Sequence, residues 1–351
     1  MSGQRTVLQL VGSAVDEFHA DLSRLYAGGC VEAVDDPARY DTHLAYVGPD
    51  GSWRFPTDLS EAALDRAPTM GLPAALAHIE SLRVDVMVPQ MFCLPGMTAY
   101  RALFDALRIP YVGNTPDLMA IAADKAKTRA IVAAAGVAVP AGVVVRAGEH
   151  PDVTLPVVVK PVDADNSAGV TLVRDPADLG PAITDALEHS ESALVESYIE
   201  LGREVRCGIL VRDGELVCLP LEEYAVDARS KPIRRADDKL ARSDSGELYL
   251  VAKDDAHAWI VDVDDPITER VWEAARRCHV ALGARHYSLF DFRIDPDGDP
   301  WFLEAGLYCS FSRGSVVAVM AAAAGIDVTE LFATALRELT SERTSSSTTQ
   351  H

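Results

Sequence analysis

Leu289-Phe290-Asp291-Phe292-Arg293-Ile294-Asp295-Pro296-Asp297-Gly298-Asp299-Pro300-Trp301-Phe302-Leu303-Glu304 is the stretch on which the fold of this chain turns. Asp297-Gly298 between two apolar runs is a strong hairpin signal. Folding the chain about that dipeptide sets position 291 opposite 304. Phe290, Phe292, Ile294, Trp301 and Leu303 are then expected on one face, the core face, with Asp291 and Glu304 on the other. Directly opposed residues of such a pair have Cβ atoms roughly 4.5–5.5 Å apart, and like charges there repel. A hard divalent cation between the two acids would relieve the repulsion, because Mg2+ is commonly held by one or two carboxylates with substrate phosphates. An edge hairpin with solvated acids satisfies the same pattern, so the rest of the chain has to separate the two readings.

Around the hairpin the sequence is strand-rich. Positions 193–196, 204–211 and 215–221 read as further strands of a mostly antiparallel sheet, and 266–282 and 316–338 as its helices. The charged, weakly periodic segment 225–265 is long for a connection in a compact domain, which points to a lid expected to close over a ligand. Upstream, strand-like 143–146, 157–159 and 171–173 with helix-like 176–189 form a small module. Thr115 and Pro116 suit the cap and first position of an alanine-rich helix reaching 135. Nearer the N-terminus, runs at 6–11, 42–47, 84–88 and 110–112 alternate with helical spacing at 18–26, 73–82 and 99–107, which implies a parallel sheet covered by helices. The expected fold is α/β in three parts: 1–115, 116–195 and 196–339, followed by a Ser/Thr-rich tail, 340–351, expected to be disordered.

The formal charge of −21 argues against nucleic acid or an anionic membrane as partner, since both require clustered Lys and Arg. No charge-free apolar stretch reaches membrane-spanning length, and no leader is expected, so a cytoplasmic location is the expectation. The six cysteines contain no C-x-x-C pair and read as buried thiols, with neither a zinc site nor a disulfide framework expected.

There are only six lysines, which makes each worth placing. Lys160 ends the apolar run Val157-Val158-Val159, where a charge needs an anionic partner or a turn to cap. The small polar loop Asp165-Asn166-Ser167-Ala168-Gly169 follows, and backbone N–H groups of such loops can hold phosphates. Leu194-Val195-Glu196-Ser197-Tyr198-Ile199 leading to Gly202-Arg203-Glu204 suits an adenine edge read by backbone groups, with a carboxylate on ribose hydroxyls.

Taken together and in order, Asp124-Lys125, Val159-Lys160-Pro161, Asn166-Ser167-Ala168-Gly169, Glu196, Glu204, Asp291 and Glu304 resemble the ATP-grasp superfamily, and within it the D-alanine–D-alanine ligases. The resemblance runs from about 109 to 325. It implies a ligase that uses ATP and Mg2+, with Mn2+ able to take its place. Lys125 and Lys160 would hold phosphates, with Ser167 and Gly169 in the loop closing over them. Glu196, Ser197, Tyr198 and Ile199 would present the adenine edge, and Glu204 would take the ribose. Asp291 and Glu304 would hold the metal. Lys239 would be the mobile-loop lysine near the terminal phosphate, acting in catalysis. The partners implied are a small carbonyl or carboxyl substrate and an amino acid, and a homodimer is compatible with the family.

The family pattern is broken where it would orient a first D-alanine. Met91-Phe92-Cys93-Leu94-Pro95-Gly96-Met97-Thr98 stands in place of an acidic stretch. Met119 replaces a serine and Leu240 a tyrosine. Leu289 replaces an arginine two before the first metal acid, and Gly306 an asparagine two after the second. A bare ammonium would find little to pair with there, which points to a first substrate with a ring or apolar body against Met91, Phe92 and Tyr308. Ser315 matches the family serine for the acceptor carboxylate. Arg293 either replaces the lost catalytic arginine or is a solvated strand residue. Phe18, Asp21, Tyr26, 91–95, 285–293 and 304–311 also resemble, more loosely, the ligases of mycosporine-like amino acid biosynthesis. That would imply joining mycosporine-glycine to a serine- or threonine-like amine. The alternatives are a D-alanine–D-alanine or other dipeptide ligase, and a non-catalytic nucleotide-binding module. His279 reads as helix packing, and His286 as a base near neutral pH.

Overall fold

The computed structural model describes residues 4–164, 168–233, 240–242, 248–250 and 257–348. Three main sheets follow one another along the chain. The first contains β1 (Arg5–Gly12), β2 (Tyr40–Val47), β3 (Trp53–Arg54) and β4 (Val86–Pro89) in the order β3-β2-β1-β4. β1 is parallel to both β2 and β4, as the strand–helix alternation requires, and β3 is antiparallel to β2. The expected strand at 110–112 contributes only a single bridge, Tyr111 to Met87. Helices α1 (Glu17–Val34), α2 (Glu61–Arg66), α3 (Leu72–Leu82), α4 (Leu94–Met97) and α5 (Ala99–Ala106) connect these strands.

The helix expected from 116 to 135 is two helices, α6 (Pro116–Ala123) and α7 (Lys125–Ala134). Thr115 caps the first by accepting from Leu118 N. Asp124 interrupts it and caps the second by accepting from Lys127 N at 2.9 Å, which sets Lys125 at its first turn. Both pack on the C-terminal sheet: Leu118, Met119 and Val132 share a core with Phe290, Phe292 and Phe302. The central sheet has the order β5-β8-β6-β7, all antiparallel, from β5 (Gly142–Val145), β6 (Val157–Pro161), β7 (Thr171–Val173) and β8 (Ala193–Ser197). Helix α8 (Pro176–Leu187) covers it.

The C-terminal sheet runs β14-β11-β9-β15-β16, built from β9 (Arg203–Arg212), β11 (Glu222–Tyr224), β14 (Ala258–Ile260), β15 (Tyr287–Ile294) and β16 (Pro300–Ala305). The hairpin partner of β9, β10 (Glu215–Cys218), lies off this path, and β12 (Leu240–Arg242) pairs β13 (Leu248–Leu250). Helix α9 (Thr268–Leu282) covers one face. The other face meets α10 (Val316–Ala323) and α11 (Val328–Thr348), which also pack against the first sheet through Tyr40, Phe311 and Phe332. The 340–351 tail expected to be disordered is thus helical as far as Thr348, because it continues a helix anchored by buried Leu331, Phe332, Ala335 and Leu336.

The register of β15 and β16 places Asp291 opposite Glu304, as expected, through an unexpected route. Pro296, Asp297 and Gly298 form a three-residue loop with Gly298 at φ +84, so Ile294 faces Pro300 and Phe292 faces Phe302. A bulge at Leu303 then restores the 291–304 pairing. Phe302 therefore joins Phe290 and Phe292 in the core, and the expectation that Trp301 and Leu303 would do so is corrected.

The first sheet is fastened to the last by polar groups. Fully buried Asn114 donates to Tyr287 O and Leu307 O and accepts from Arg285 N. Gly113 N donates to His286 Nδ1 at 2.8 Å, so His286 is a buried tether and not a solvent-facing base. All six cysteines are free thiols, five of them buried. Among the described residues no single helix is long and apolar enough to cross a membrane.

His279 packs inside, with Nδ1 2.8 Å from Ser288 Oγ, and burial pushes its imidazole down to about 4. Its folded pKa lies below the ordinary value of about 6.5, so the unfolded chain takes the proton first. Stability is complete above about pH 6.5 and falls towards pH 4, by at most about 3 kcal/mol from this group. Urea unfolding of His279→Gln is expected to show a flatter pH dependence over that window. An unchanged slope would contradict the assignment.

Candidate functional site

A cleft of about 820 Å³, open to solvent, lies between the central and C-terminal sheets. Lys125, Lys160, Glu196, Ser197, Tyr198, Ile199, Glu204, Asp291, Arg293 and Glu304 all line it, so ten of the residues expected from the sequence converge on one surface. Ala164 and Val170, which flank the polar loop, also line it. Gly169 packs behind them at φ +64, where an added Cβ would lie 2.8 Å from His189, so its place there is conformational. Ser167 and Lys239 lie outside the described residues, as does much of the expected lid. The near end of that segment reaches the cleft through Ile233.

At one end of the cleft, Lys160 closes β6 and finds its anion in Glu196 of the neighbouring strand, Nζ to Oε2 at 2.6 Å. Arg129 approaches the other carboxylate oxygen at 3.3 Å. The turn-capping reading of Lys160 is thereby excluded. Lys125 Nζ donates to Ala164 O, which ties the start of α7 to the polar loop. Tyr198 is flanked by the guanidinium groups of Arg174 and Arg293, 5.5 and 5.2 Å from its ring. Lys125, Lys160 and Arg293 thus line the cleft together with four carboxylates, in a chain of net charge −21.

In the middle, Arg293 is 4% exposed, which rules out the solvated-strand reading. It donates to Glu204 Oε2 at 2.8 Å, to Pro232 O at 2.9 Å and to Ile199 O at 3.2 Å. The sheet explains the first contact, since Arg293 and Glu204 are register partners on β15 and β9.

The next row holds Asp291 between two partners. On β16 it faces Glu304, and on β9 it faces Arg206, which forks its two oxygens at 2.5 and 3.0 Å. Arg206 was not singled out in the sequence, although its two-residue spacing from Glu204 puts both on one strand face. Burial works against its charge, but Asp291 and Glu304 outweigh this and hold its pKa well above the ordinary arginine value. Hard oxygen donors on adjacent strands suit Mg2+. Among the described residues no group of three or more His, Cys, Asp or Glu is placed to hold a metal, so phosphates and water would complete such a shell. A cleft with two lysines at one side and two carboxylates at the other fits a nucleotide bound through Mg2+.

Beyond that row is the crevice at the carboxyl ends of β1 and β4, where the strand order reverses, a common place for ligands in such sheets. Tyr26, Phe92 and Tyr308 form an aromatic series there, with ring centroids 5.2 and 5.4 Å apart. Met91, expected in this wall, is fully buried under Gly96 and cannot face a substrate. Ser315 stands at the N-cap position of α10 without a side-chain cap bond, its hydroxyl buried beside the Cys309 thiol and off the lining of the cleft between the central and C-terminal sheets.

Residues 144–337 match the family model described as D-ala D-ala ligase C-terminus. The chain is 31% identical to the D-alanine--D-alanine ligase of Nocardia farcinica over 89% of its own length and 93% of the relative's. It is 27% identical to vancomycin B-type resistance protein VanB of Enterococcus faecalis, covering 87% and 94% of the two chains. Its fold is that of the crystal structure of VanG D-Ala:D-Ser ligase from Enterococcus faecalis, with a TM-score of 0.73, 21% identity, and coverage of 96% and 99%.

Removing one member of a buried ion pair is expected to cost about 3–5 kcal/mol, more than removing both. Arg293→Met should therefore destabilise the protein more than the double variant Arg293→Met with Glu204→Gln, by chemical denaturation. Equal or additive losses would contradict a direct pair.

Proposed function

This chain belongs to the D-alanine–D-alanine ligase family of ATP-grasp enzymes, and on that premise we propose that it joins a small carboxylic acid to an amino-acid-type acceptor with consumption of ATP. The observation that carries the reading is the convergence of Lys125, Lys160, Glu204, Asp291 and Glu304 on one cleft.

The chemistry runs in two steps. A carboxylate oxygen attacks the terminal phosphorus of ATP, the bond to the bridging oxygen breaks, and ADP leaves with that electron pair. The acceptor amine, having lost a proton, attacks the acyl carbon, and phosphate leaves as the C–O bond breaks. No covalent link to the protein is needed. In this reading Lys125 and Lys160 hold phosphates, and Lys160 shifts from Glu196 to do so. The edge from Glu196 to Ile199 receives the adenine. Glu204, fixed by Arg293, takes the ribose, which makes Arg293 a positioning residue. Asp291 and Glu304 hold Mg2+, which when bound neutralises charge developing on the phosphates. The catalysis supplied by the chain is positioning and charge complementarity. Parts 116–195 and 196–339 act as the two halves that enclose the nucleotide. Lys239 and Ser167 are assigned to the covering loops, and Ser315 to the acceptor side.

Ligation of D-alanine to a D-amino acid is the reading that the relatives support best. A second reading, mycosporine-glycine as the activated substrate, draws on the aromatic series Tyr26–Phe92–Tyr308 beside the site and on apolar Leu289. An ADP-release assay separates the two. Turnover with D-alanine as sole organic substrate is expected on the first reading. ADP release only when mycosporine-glycine and serine or threonine are both supplied would replace it with the second. Glu304→Gln is expected to reduce ATP turnover about a hundred- to a thousandfold with the fold intact by circular dichroism, on the scale of losing a main electrostatic stabiliser. Near-normal turnover in that variant would refute the metal assignment.

A further inference from the structure

Four charged side chains form one row across four neighbouring strands: Glu222 on β11, Arg206 on β9, Asp291 on β15 and Glu304 on β16. Register partners point to the same face of a sheet, so the row reads minus, plus, minus, minus along a single surface. Arg206 occupies both oxygens of Asp291, and its guanidinium lies 5.2 Å from the centre of the Tyr224 ring. The Tyr224 hydroxyl in turn donates to Glu222. Arg206 is thus aligned by Asp291 and by the Tyr224 ring, and its side chain is 13% exposed.

If Asp291 is a metal ligand, as proposed above, it cannot serve a divalent cation and keep the guanidinium fork unchanged. Two cations on one carboxylate repel strongly in a partly buried setting. The repulsion ends only when an anion arrives that can take the guanidinium. Position selects that anion. The rows of the sheet run from Glu204 and Arg293, on the adenine side, to Arg206, Asp291 and Glu304, two residues farther along each strand. A nucleotide with its base at Ser197–Ile199 therefore brings its terminal phosphate to the second row. A planar guanidinium that already forks a carboxylate has the geometry to fork a phosphoryl group.

We infer that Arg206 is a terminal-phosphate-binding residue stored on Asp291, and that this exchange makes the site accept the cation–nucleotide complex in preference to free cation. The inference rests on the assignment of Asp291 as a metal ligand, and the test separates the two. Mn2+ binding to the full-length protein is measured by electron paramagnetic resonance, with and without the non-hydrolysable ATP analogue AMP-PNP. Without nucleotide, Arg206→Met should bind Mn2+ at least about tenfold more tightly than wild type, because the competing cation is gone. Arg206→Lys should lie between them, since it keeps the charge and loses the fork, and it supplies the comparison if the methionine variant does not fold. With Mn2+ saturating, AMP-PNP should bind at least about tenfold more weakly to Arg206→Met, the loss of one charge-assisted fork. Equal nucleotide-free Mn2+ affinity in wild type and both variants would overturn the exchange. Unchanged AMP-PNP affinity in both variants would overturn the phosphate role. Asp291→Asn that binds Mn2+ and AMP-PNP like wild type would instead overturn the metal-ligand assignment on which the inference stands.

Discussion

Asp291 and Glu304 face each other across two hydrogen-bonded strands, and like charges held that close are tolerated only with cations beside them. Among the described residues Arg206 is such a cation, delivered by register from β9. The rest of the site depends on this row. One residue of slip in β9 or β16 would turn these side chains to the opposite face. The bulge at Leu303 and the three-residue loop ending at Gly298 together keep Glu304 on the correct side while Phe302 stays in the core. Core packing and site geometry are set by the same few backbone positions.

The second constraint is the tether between the first and last sheets. Asn114 bridges Tyr287, Leu307 and Arg285, and Gln90 donates to Ser310 O, so the crevice at the end of β1 and β4 is held against the strand that carries Asp291. The aromatic series Tyr26–Phe92–Tyr308 lies at this junction. On the proposed reading, substrate choice falls to this junction and nucleotide chemistry to the cleft between the other two sheets.

Much of this was legible in the residues. A local signal fixed the cap Thr115, and alternation with a turn dipeptide found the 291–304 pair, whereas the break and second cap at Asp124 went unread. Most residues expected at the nucleotide converge because they sit at or next to a strand or helix end, whereas Asp291 lies in the middle of β15 and is brought there by register. The errors have physical causes. Alternation cannot reveal a bulge, so Trp301 and Leu303 were assigned to the core in place of Phe302. Met91 looked like part of a substrate wall because burial depends on Gly96 approaching from a helix that local periodicity did not suggest. Arg206 and the Lys160–Glu196–Arg129 cluster depend on which strands become neighbours, and a single strand does not encode its neighbours. His286 reads as a base until its partner Gly113, 173 positions away, is in place.

The central claim is that the row across β9, β15 and β16 seats the metal end of a nucleotide. The most direct measurement is anomalous scattering from crystals grown with Mn2+ and AMP-PNP. A single dominant anomalous peak, or a close pair, is expected within coordination distance of Asp291 and Glu304, with the Arg206 guanidinium moved from Asp291 onto phosphate. A metal peak elsewhere in the cleft, with the Arg206–Asp291 fork intact, would contradict it.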